Sequence, residues 1–298
     1  MQKKRPDLKV LSLNFKMMDK LQTNIEELLS VGITTKGRIH ELRDTLKILE
    51  KSELRACTVI LIDDGGCGDF IHEEDFDLNL VIHRYQESQG LVARRNELAE
   101  LCQTKYLMSL DDDSAPESGS IVEVLNVLEA EDSTVTAALN LYNDTTQHID
   151  RELPDFDARD FVGCGYIHNV DTFRKLGGYT GDLFYGHEER EYALKIARAS
   201  KKIVHMNNYI VKHRKSEINR VVGYNPRLSR NLGWINGTYL GLLPNIIELY
   251  SFLKVKKLNQ VAPALTDYFK GLSARRQASK LTFSQYWHWK RKKTPTVA

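Results

Sequence analysis

The chain has 298 residues, 42% hydrophobic and 28% charged, with a formal net charge of +2. This is ordinary globular composition, and it is long enough for one large domain with a sizeable core. It excludes a disordered chain, and no run approaches the ~20 apolar residues of a membrane span. Residues 1–29 read as an extension, with a short strand at 9–15 and a helical stretch at 18–29. A regular alternation then begins. Val31-Gly32-Ile33-Thr34 reads as a strand, and residues 38–51 as an amphipathic helix with Ile39, Leu42, Leu46 and Leu49 on one face. Residues 57–62 form a buried strand that ends in Asp63-Asp64-Gly65-Gly66. Leu80-Val81-Ile82 is another strand, and residues 90–101 a helix. Tyr106 to Leu110 is a short apolar strand. Residues 120–128 read as a helix and 134–141 as a strand. This spacing implies right-handed crossovers and a mainly parallel sheet covered on both faces.

The second half is less regular. Residues 161–168 read as a strand with two glycines, 170–176 as a short helix, 188–199 as a helix and 202–211 as a strand. Helices are expected from about residue 225. The charge is uneven. From Ser251 to the end, eleven Lys or Arg stand against one acid, Asp267. Four cysteines, Cys57, Cys67, Cys102 and Cys164, form no close pair of the zinc-binding or redox kind. The amino end carries charge but no apolar stretch of signal-peptide length. The reading is a reduced, cytoplasmic protein.

Asp111-Asp112-Asp113, directly after the Tyr106–Leu110 run, is the most informative segment. Ending a buried strand in three negative charges is costly unless something positive waits there. Carboxylate oxygens are hard ligands suited to Mg²⁺ or Mn²⁺, and a cation so held usually completes its shell with substrate phosphates. Open α/β sheets bind ligands at the carboxyl ends of their strands. The competing reading is a solvated acidic turn, with Asp113 or Ser114 capping the next segment.

Six segments in order carry a resemblance: SVGITTKGRIHELRDTL, VILIDDGG, GLVARRNEL with LDDD after it, GCGYIHNVDTFRKLGGY, GHEEREYALKI and SRNLGWINGTYLGLLP. Over about residues 30–245 the chain resembles the family-2 glycosyltransferases, inverting enzymes of GT-A fold. The resemblance implies an α/β, Rossmann-like, mainly parallel sheet flanked by helices. It divides the chain into an extension (1–29), a transferase domain (30–245, with a nucleotide half to 115 and an acceptor half from 116) and a basic helical extension (246–298). It implies a nucleotide-sugar donor, UDP-sugar favoured, a Mn²⁺ or Mg²⁺ cofactor, and a glycan or lipid-linked acceptor, in the making of a surface polysaccharide or related glycan.

Residue by residue, Asp113 matches the direct metal ligand. Asp111 matches the contact to the ribose or the metal's waters. Asp64 matches the carboxylate that accepts the base N3–H, and Thr34 a position near the base. Arg95 matches the diphosphate contact, with Arg94 as competitor. Inversion needs one carboxylate to take the acceptor proton opposite the leaving group. The family's acidic pair is usually Glu-Asp. Here it is Glu188-Glu189, with Glu189 in the base position and Glu188 as alternative. His213 matches a third metal ligand, with His205 and His187 as rivals. Gly163 and Gly165 match a strand passing under the donor sugar.

Without the resemblance, acids in a first helical turn need only the helix dipole. The basic tail, with Tyr286, Trp287 and Trp289 beside Lys290 to Lys293, suits peripheral attachment at the inner membrane face, or tryptophans that pack on the domain. No nucleic-acid partner is expected. Two other readings stay open. One is a sugar nucleotidyltransferase, for which Thr34 to Arg38 is a poor phosphate loop. The other is a non-catalytic protein of the same fold that binds a nucleotide sugar or glycan.

Overall fold

The computed structural model describes residues 25–66, 68–143, 155–214 and 225–294. The strand expected at 9–15 and most of the helix at 18–29 lie outside the described residues. A single helical turn, Ile25–Leu28, leads straight into the first strand.

The first half alternates as its periodicity requires. It runs β1 (Leu29–Thr35), α1 (Ile39–Leu49), β2 (Thr58–Asp63), β3 (Asn79–Arg84), α2 (Leu91–Leu101) and β4 (Tyr106–Asp111). These strands pair in parallel in the order β3-β2-β1-β4. Successive strand residues point to opposite faces. Val31, Ile33, Val59, Leu61, Met108 and Leu110 therefore face α1, which buries Leu42, Leu46 and Leu49 against them. Ile60, Ile62 and Leu107 face the other way, onto Val92 and Leu98 of α2. Gly32 lets α2 come close, since a Cβ there would lie 3.0 Å from Leu98. Each fully buried Leu or Ile contributes about 1.5–3 kcal/mol, so Leu46→Ala would cost about 2–5 kcal/mol.

The second half turns the sheet. It runs β5 (Ser114–Ser118), α3 (Ile121–Ala130), β6 (Thr134–Asn143), β7 (Phe156–Ala158), β8 (Gly165–Asn169), α4 (Val170–Lys175), α5 (Glu188–Arg198) and β9 (Lys202–His213). β8 enters antiparallel between β4 and β6. β9 runs parallel to β6 and antiparallel to β5 and β7. The full order is β3-β2-β1-β4-β8-β6-β9-β5, with β7 on β9.

Two strands were not expected from the sequence. β5 reads Ser-Ala-Pro-Glu-Ser, and proline is tolerated in a strand at an edge. β7 has only three residues. The strand expected from residue 161 starts at Gly165, because residues 161–164 turn beneath the site.

Four helices follow: α6 (Pro226–Tyr239), α7 (Leu242–Lys254), α8 (Leu258–Ser273) and α9 (Phe283–Lys290). Asn225 caps α6 by accepting from the N–H of Arg227, with Pro226 in the first turn. α6 and α8 cross in close contact at Gly233 and Gly271. A Cβ on either would lie 2.0 or 1.9 Å from a backbone oxygen of the other helix. α9 docks back on the domain. Tyr286 and Trp289 are buried, and the indole N–H of Trp289 donates to the Arg159 carbonyl at 2.8 Å. These two aromatics of the tail are thus packed in the core. The boundaries drawn after residues 115 and 245 fall inside β5 and α7. The Glu248–Arg190 ion pair at 2.8 Å ties α7 to α5.

Candidate active site

The carboxyl ends of β2, β1 and β4 lie side by side. Thr34 is level with Ile62 on one side and Asp111 on the other, and Thr35 is level with Asp63. Parallel pairing, set by three buried apolar runs, thereby lines up the acidic strand ends along one rim.

The three aspartates take different environments, because consecutive residues leaving a strand alternate in direction. Asp112 is fully buried and turns back toward α1. Arg38 forks onto it, Nη2 to Oδ1 at 2.6 Å and Nε to Oδ2 at 3.1 Å, and Thr35 Oγ1 donates at 2.7 Å. Its carbonyl accepts from Thr45 Oγ1. Burial pushes the Asp112 carboxyl up to about 7, against the pull of Arg38 and Thr35. Asp113, 1% exposed, meets Arg38 Nη1 at 3.0 Å and His213 Nε2 at 3.2 Å. Asp111 is half-buried and meets Arg95 Nη2 at 2.9 Å. A solvated turn is excluded by this burial. Arg38 was not singled out from the sequence, where it reads as the start of the helix expected at 38–51 and as the last residue of a poor phosphate loop.

One oxygen of Asp111, the Cys164 Sγ and a ring nitrogen of His213 lie within 4.8 Å of one another. Asp113 Oδ1 lies 3.2 Å from Nε2 of the same imidazole. Cys164 Sγ is 3.7 Å from His213 Nδ1. Carboxylate and imidazole donors fit a divalent cation, and the mixed set suits Mn²⁺ better than Mg²⁺, which favours oxygen alone. Of the sequence-derived set, Asp111 and His213 fall in this cluster together with the Cys164 thiol, and Asp113 contacts the His213 ring beside it. Burial, then the nearby Asp111 carboxylate, raises the Cys164 thiol well above its ordinary value. A lone cysteine between two glycines offers no sequence signal for this position. The rival His205 is buried on β9, stacked on Phe156 at 4.7 Å, away from the aspartates. His187 precedes α5 with a φ of 70° and lines the cavity onto which Glu189 opens, outside the aspartate cluster.

The consecutive arginines of α2 divide the work. Residues one apart on a helix point about 100° apart. Arg94 Nε meets Asp64 Oδ1 at 2.6 Å. The Asp64 carboxylate also accepts from Ser88 Oγ at 2.5 Å, Gln89 N–H at 2.8 Å and Gly90 N–H at 2.9 Å. Burial alone would raise the Asp64 carboxyl. These donors outweigh it and hold the group below the usual carboxylate range. Arg95 lies across the cleft floor. Nη2 reaches Asp111, and Nη1 reaches Glu188 Oε1 at 2.9 Å and Glu189 Oε1 at 3.3 Å. Both guanidiniums are buried, so neither sits on a solvated helix face.

The acids opening α5 separate in the same way. Glu191 is fully enclosed by Lys195 at 2.8 Å, Thr180 and the Tyr239 hydroxyl at 2.6 Å, which is a structural role. Glu188 is 2% exposed. Glu189 is 21% exposed and opens on a cavity of about 480 Å³ lined also by Arg159, Asp160, Phe161, Arg190 and Phe252. Burial, then the neighbouring Glu188 charge, raises the Glu189 carboxyl well above its ordinary range.

Gly163 makes the Arg95–Glu189 contact fit. A Cβ there would lie 2.3 Å from Glu189 Oε1 and 2.4 Å from Arg95 Nη1. At Gly165 the space belongs to Leu141 of β6, 2.6 Å from a would-be Cβ, so this glycine serves sheet packing. A second cavity, of about 540 Å³, is lined by Thr34, Thr35, Lys36, Arg38, Asp64, Ser88 and Arg94. Asp64 and Thr34 thus border one pocket and Glu189 another. Asp111 and Arg95 line neither pocket, and Arg95 links Asp111 to Glu189 by ion pairs.

A GT-A sheet with acidic strand ends and an acid-opened helix defines a nucleotide-sugar transferase class. The profile of Glycosyl transferase family 2 matches residues 30–188, over half of the chain, and the chain belongs to that family. Solved structures of the same fold include GalNAc-T7 with UDP, GalNAc and Mn²⁺, at 15% identity and TM-score 0.60. That match covers 81% of this chain and 55% of the other. TarS 1–349 of S. aureus aligns at 13% identity and TM-score 0.61, covering 82% and 81%. The mannosyltransferase PcManGT from Pyrobaculum calidifontis, in complex with GDP-Man and Mn²⁺, aligns at 11% identity and TM-score 0.54, covering 88% and 81%. The chain spans about half the length of GalNAc-T7 and of the longer TarS structure. No curated protein matches the chain by sequence.

Proposed function

We propose that the chain transfers a glycosyl unit from a nucleoside-diphosphate sugar to a hydroxyl acceptor with inversion at the anomeric carbon. The observation that carries this is Arg95, which ion-pairs with both Asp111 at the end of β4 and Glu189 on one cavity, while Asp64 lines a second cavity. The nucleoside lies in the Thr34–Asp64 pocket. UDP is the favoured carrier: Asp64 takes the uracil N3–H in exchange for the Ser88 hydroxyl, the one donor of its four that is neither backbone nor a buried guanidinium. Asp111, Asp113, His213 and Cys164 would hold a divalent cation, Mn²⁺ or Mg²⁺, which when bound neutralises the charge that gathers on the departing diphosphate. Lys36 and Arg38 add positive charge on the same rim.

The acceptor hydroxyl enters from the Glu189 cavity. Glu189 takes its proton, the oxygen attacks the anomeric carbon, and the bond to the diphosphate breaks on the opposite face. Glu189 is favoured over Glu188 because it faces the cavity, whereas Glu188 is enclosed against Arg95. A raised carboxyl there is a stronger base once ionised. Phe161 and Phe252 give the cavity apolar surfaces on which a sugar ring can lie. This suits a glycan or lipid-linked acceptor such as a growing surface polysaccharide.

The test is calorimetric titration with UDP, GDP and dTDP, each with Mn²⁺ and with chelator. Tight, Mn²⁺-dependent binding of UDP, lost in Asp113→Asn, supports the reading. No binding of any of the three to the folded protein refutes it.

A further inference from the structure

We infer that the outer face of α7, with the turn into α8, docks on an anionic lipid surface. Leu242, Ile246 and Tyr250 recur at four-residue intervals and so share one side of α7. They are 81%, 55% and 69% exposed. Val255 and Leu258 follow in the turn at 78% and 91%. Isolated exposed leucines are ordinary, but a row of large apolar side chains on one element marks a contact surface. The opposite side of α7 is engaged: Glu248, Ser251 and Phe252 line the Glu189 cavity. A surface bound to α7 would therefore lie about one helix diameter, ~10 Å, from that cavity.

Charge selects the occupant. From Leu242 to Lys293 the chain has eleven Lys or Arg and two acids, Glu248 and Asp267. Both acids are buried, and both are paired, Glu248 with Arg190 and Lys290 and Asp267 with Lys270. The exterior of this segment therefore presents basic side chains without exposed carboxylates. Lys254 and Lys257 are exposed beside the apolar row, while Lys256 lies over the Phe252 ring at 4.6 Å. A second copy would set these lysines against their own kind. Residues 1–24 carry six Lys or Arg against two Asp, so they too would be repelled. Nucleic acid would match the charge but leave the apolar row in water. An anionic bilayer satisfies both features: apolar side chains enter the interface, and lysines pair with headgroups, each worth about 1 kcal/mol near the surface. No helix among the described residues is long and apolar enough to cross a membrane.

The experiment is vesicle flotation with phosphatidylcholine alone and with added phosphatidylglycerol, at low and high salt. The expected result is binding to the phosphatidylglycerol vesicles that weakens with salt. Ile246→Glu/Tyr250→Glu should lower the partition coefficient at least about tenfold. Lys254→Glu/Lys257→Glu should abolish the preference for phosphatidylglycerol. Unchanged melting temperatures show that both variants are folded, since all four side chains are exposed. The inference is overturned if the wild-type chain binds neither vesicle, or if both variants bind as it does. It is also overturned if light scattering finds a dimer that Ile246→Glu/Tyr250→Glu dissolves, which would assign the face to a second copy.

Discussion

Arg94 and Arg95 are neighbours in sequence, equally buried, and lead into two regions built on different principles. Around Arg94, four donors converge on one carboxylate, Asp64, and every partner comes from residues 88–94. Around Arg95 the count is reversed. One guanidinium serves three carboxylates, Asp111, Glu188 and Glu189, drawn from β4 and α5. The first arrangement over-satisfies a charge and fixes a loop. The second leaves an excess of negative charge in a half-open cleft, which favours an incoming cation and keeps a carboxylate readily protonated. Under the proposed function, that difference would give a rigid nucleotide side and an electrostatically hungry transfer side.

The sharpest way to break the comparison is Glu189→Gln. Under the proposed role, kcat falls about 10³-fold, roughly 4 kcal/mol of barrier, while calorimetry finds UDP binding unchanged. A rate within a few-fold of wild type would remove Glu189 from the base role. The same carboxyl sets the pH profile. It must lose its proton to act, and burial beside Glu188 raises its proton affinity. Activity should therefore climb with pH along a limb above the ordinary carboxylate range of about 4, and Glu189→Gln should erase that limb.

Next in size is Arg94→Ala, which strips the buried Asp64 of its charge partner. Breaking a buried pair costs about 3 kcal/mol, read as a fall in the urea midpoint. Cys164→Ser tests the transfer side more gently. It should weaken the thiophilic Cd²⁺ by about tenfold and Mn²⁺ by less, both followed by competition calorimetry.

The smallest effect is acid stability. Asp64 is held low by Ser88, Gln89, Gly90 and Arg94, and Glu248 by Arg190 and Lys290, in each case against the opposing effect of burial. Carboxyls depressed in the folded state contribute stability that is complete above the unfolded value of about 4. It is lost as pH falls through their lower folded values. Asp64→Asn should flatten this acid limb of the melting temperature.

Much of the parallel wall was legible because β1, β2 and β4 are buried on both faces and read as unbroken apolar runs. The acids at their ends were legible for the same reason: charge at the end of such a run must be accommodated. β5 and β7 carry no such run. Ser-Ala-Pro-Glu-Ser becomes a strand only because β9 lies beside it. The division of labour between Arg94 and Arg95 depends on helix rotation, which a one-residue uncertainty in the start of α2 would reverse. Cys164 and Arg38 reach the aspartates through tertiary contacts across 53 and 73 positions of the chain, counted from Asp111, and no local pattern announces them. Tyr286 and Trp289 read as interfacial aromatics beside the basic tail. In the fold they anchor α9, and the exposed apolar row is on α7.

The edge strand β5 has a bearing on handling as well as on fold. Among the described residues it pairs only with β9, and α1 packs nearby. Its central Pro116 has no N–H to offer, and the ladder slips between Pro116 and Ser118. A rim lacking a donor and out of step is a poor template for another strand. The sheet is thereby terminated chemically at that side, so the protein can be concentrated without growing by edge-to-edge addition there.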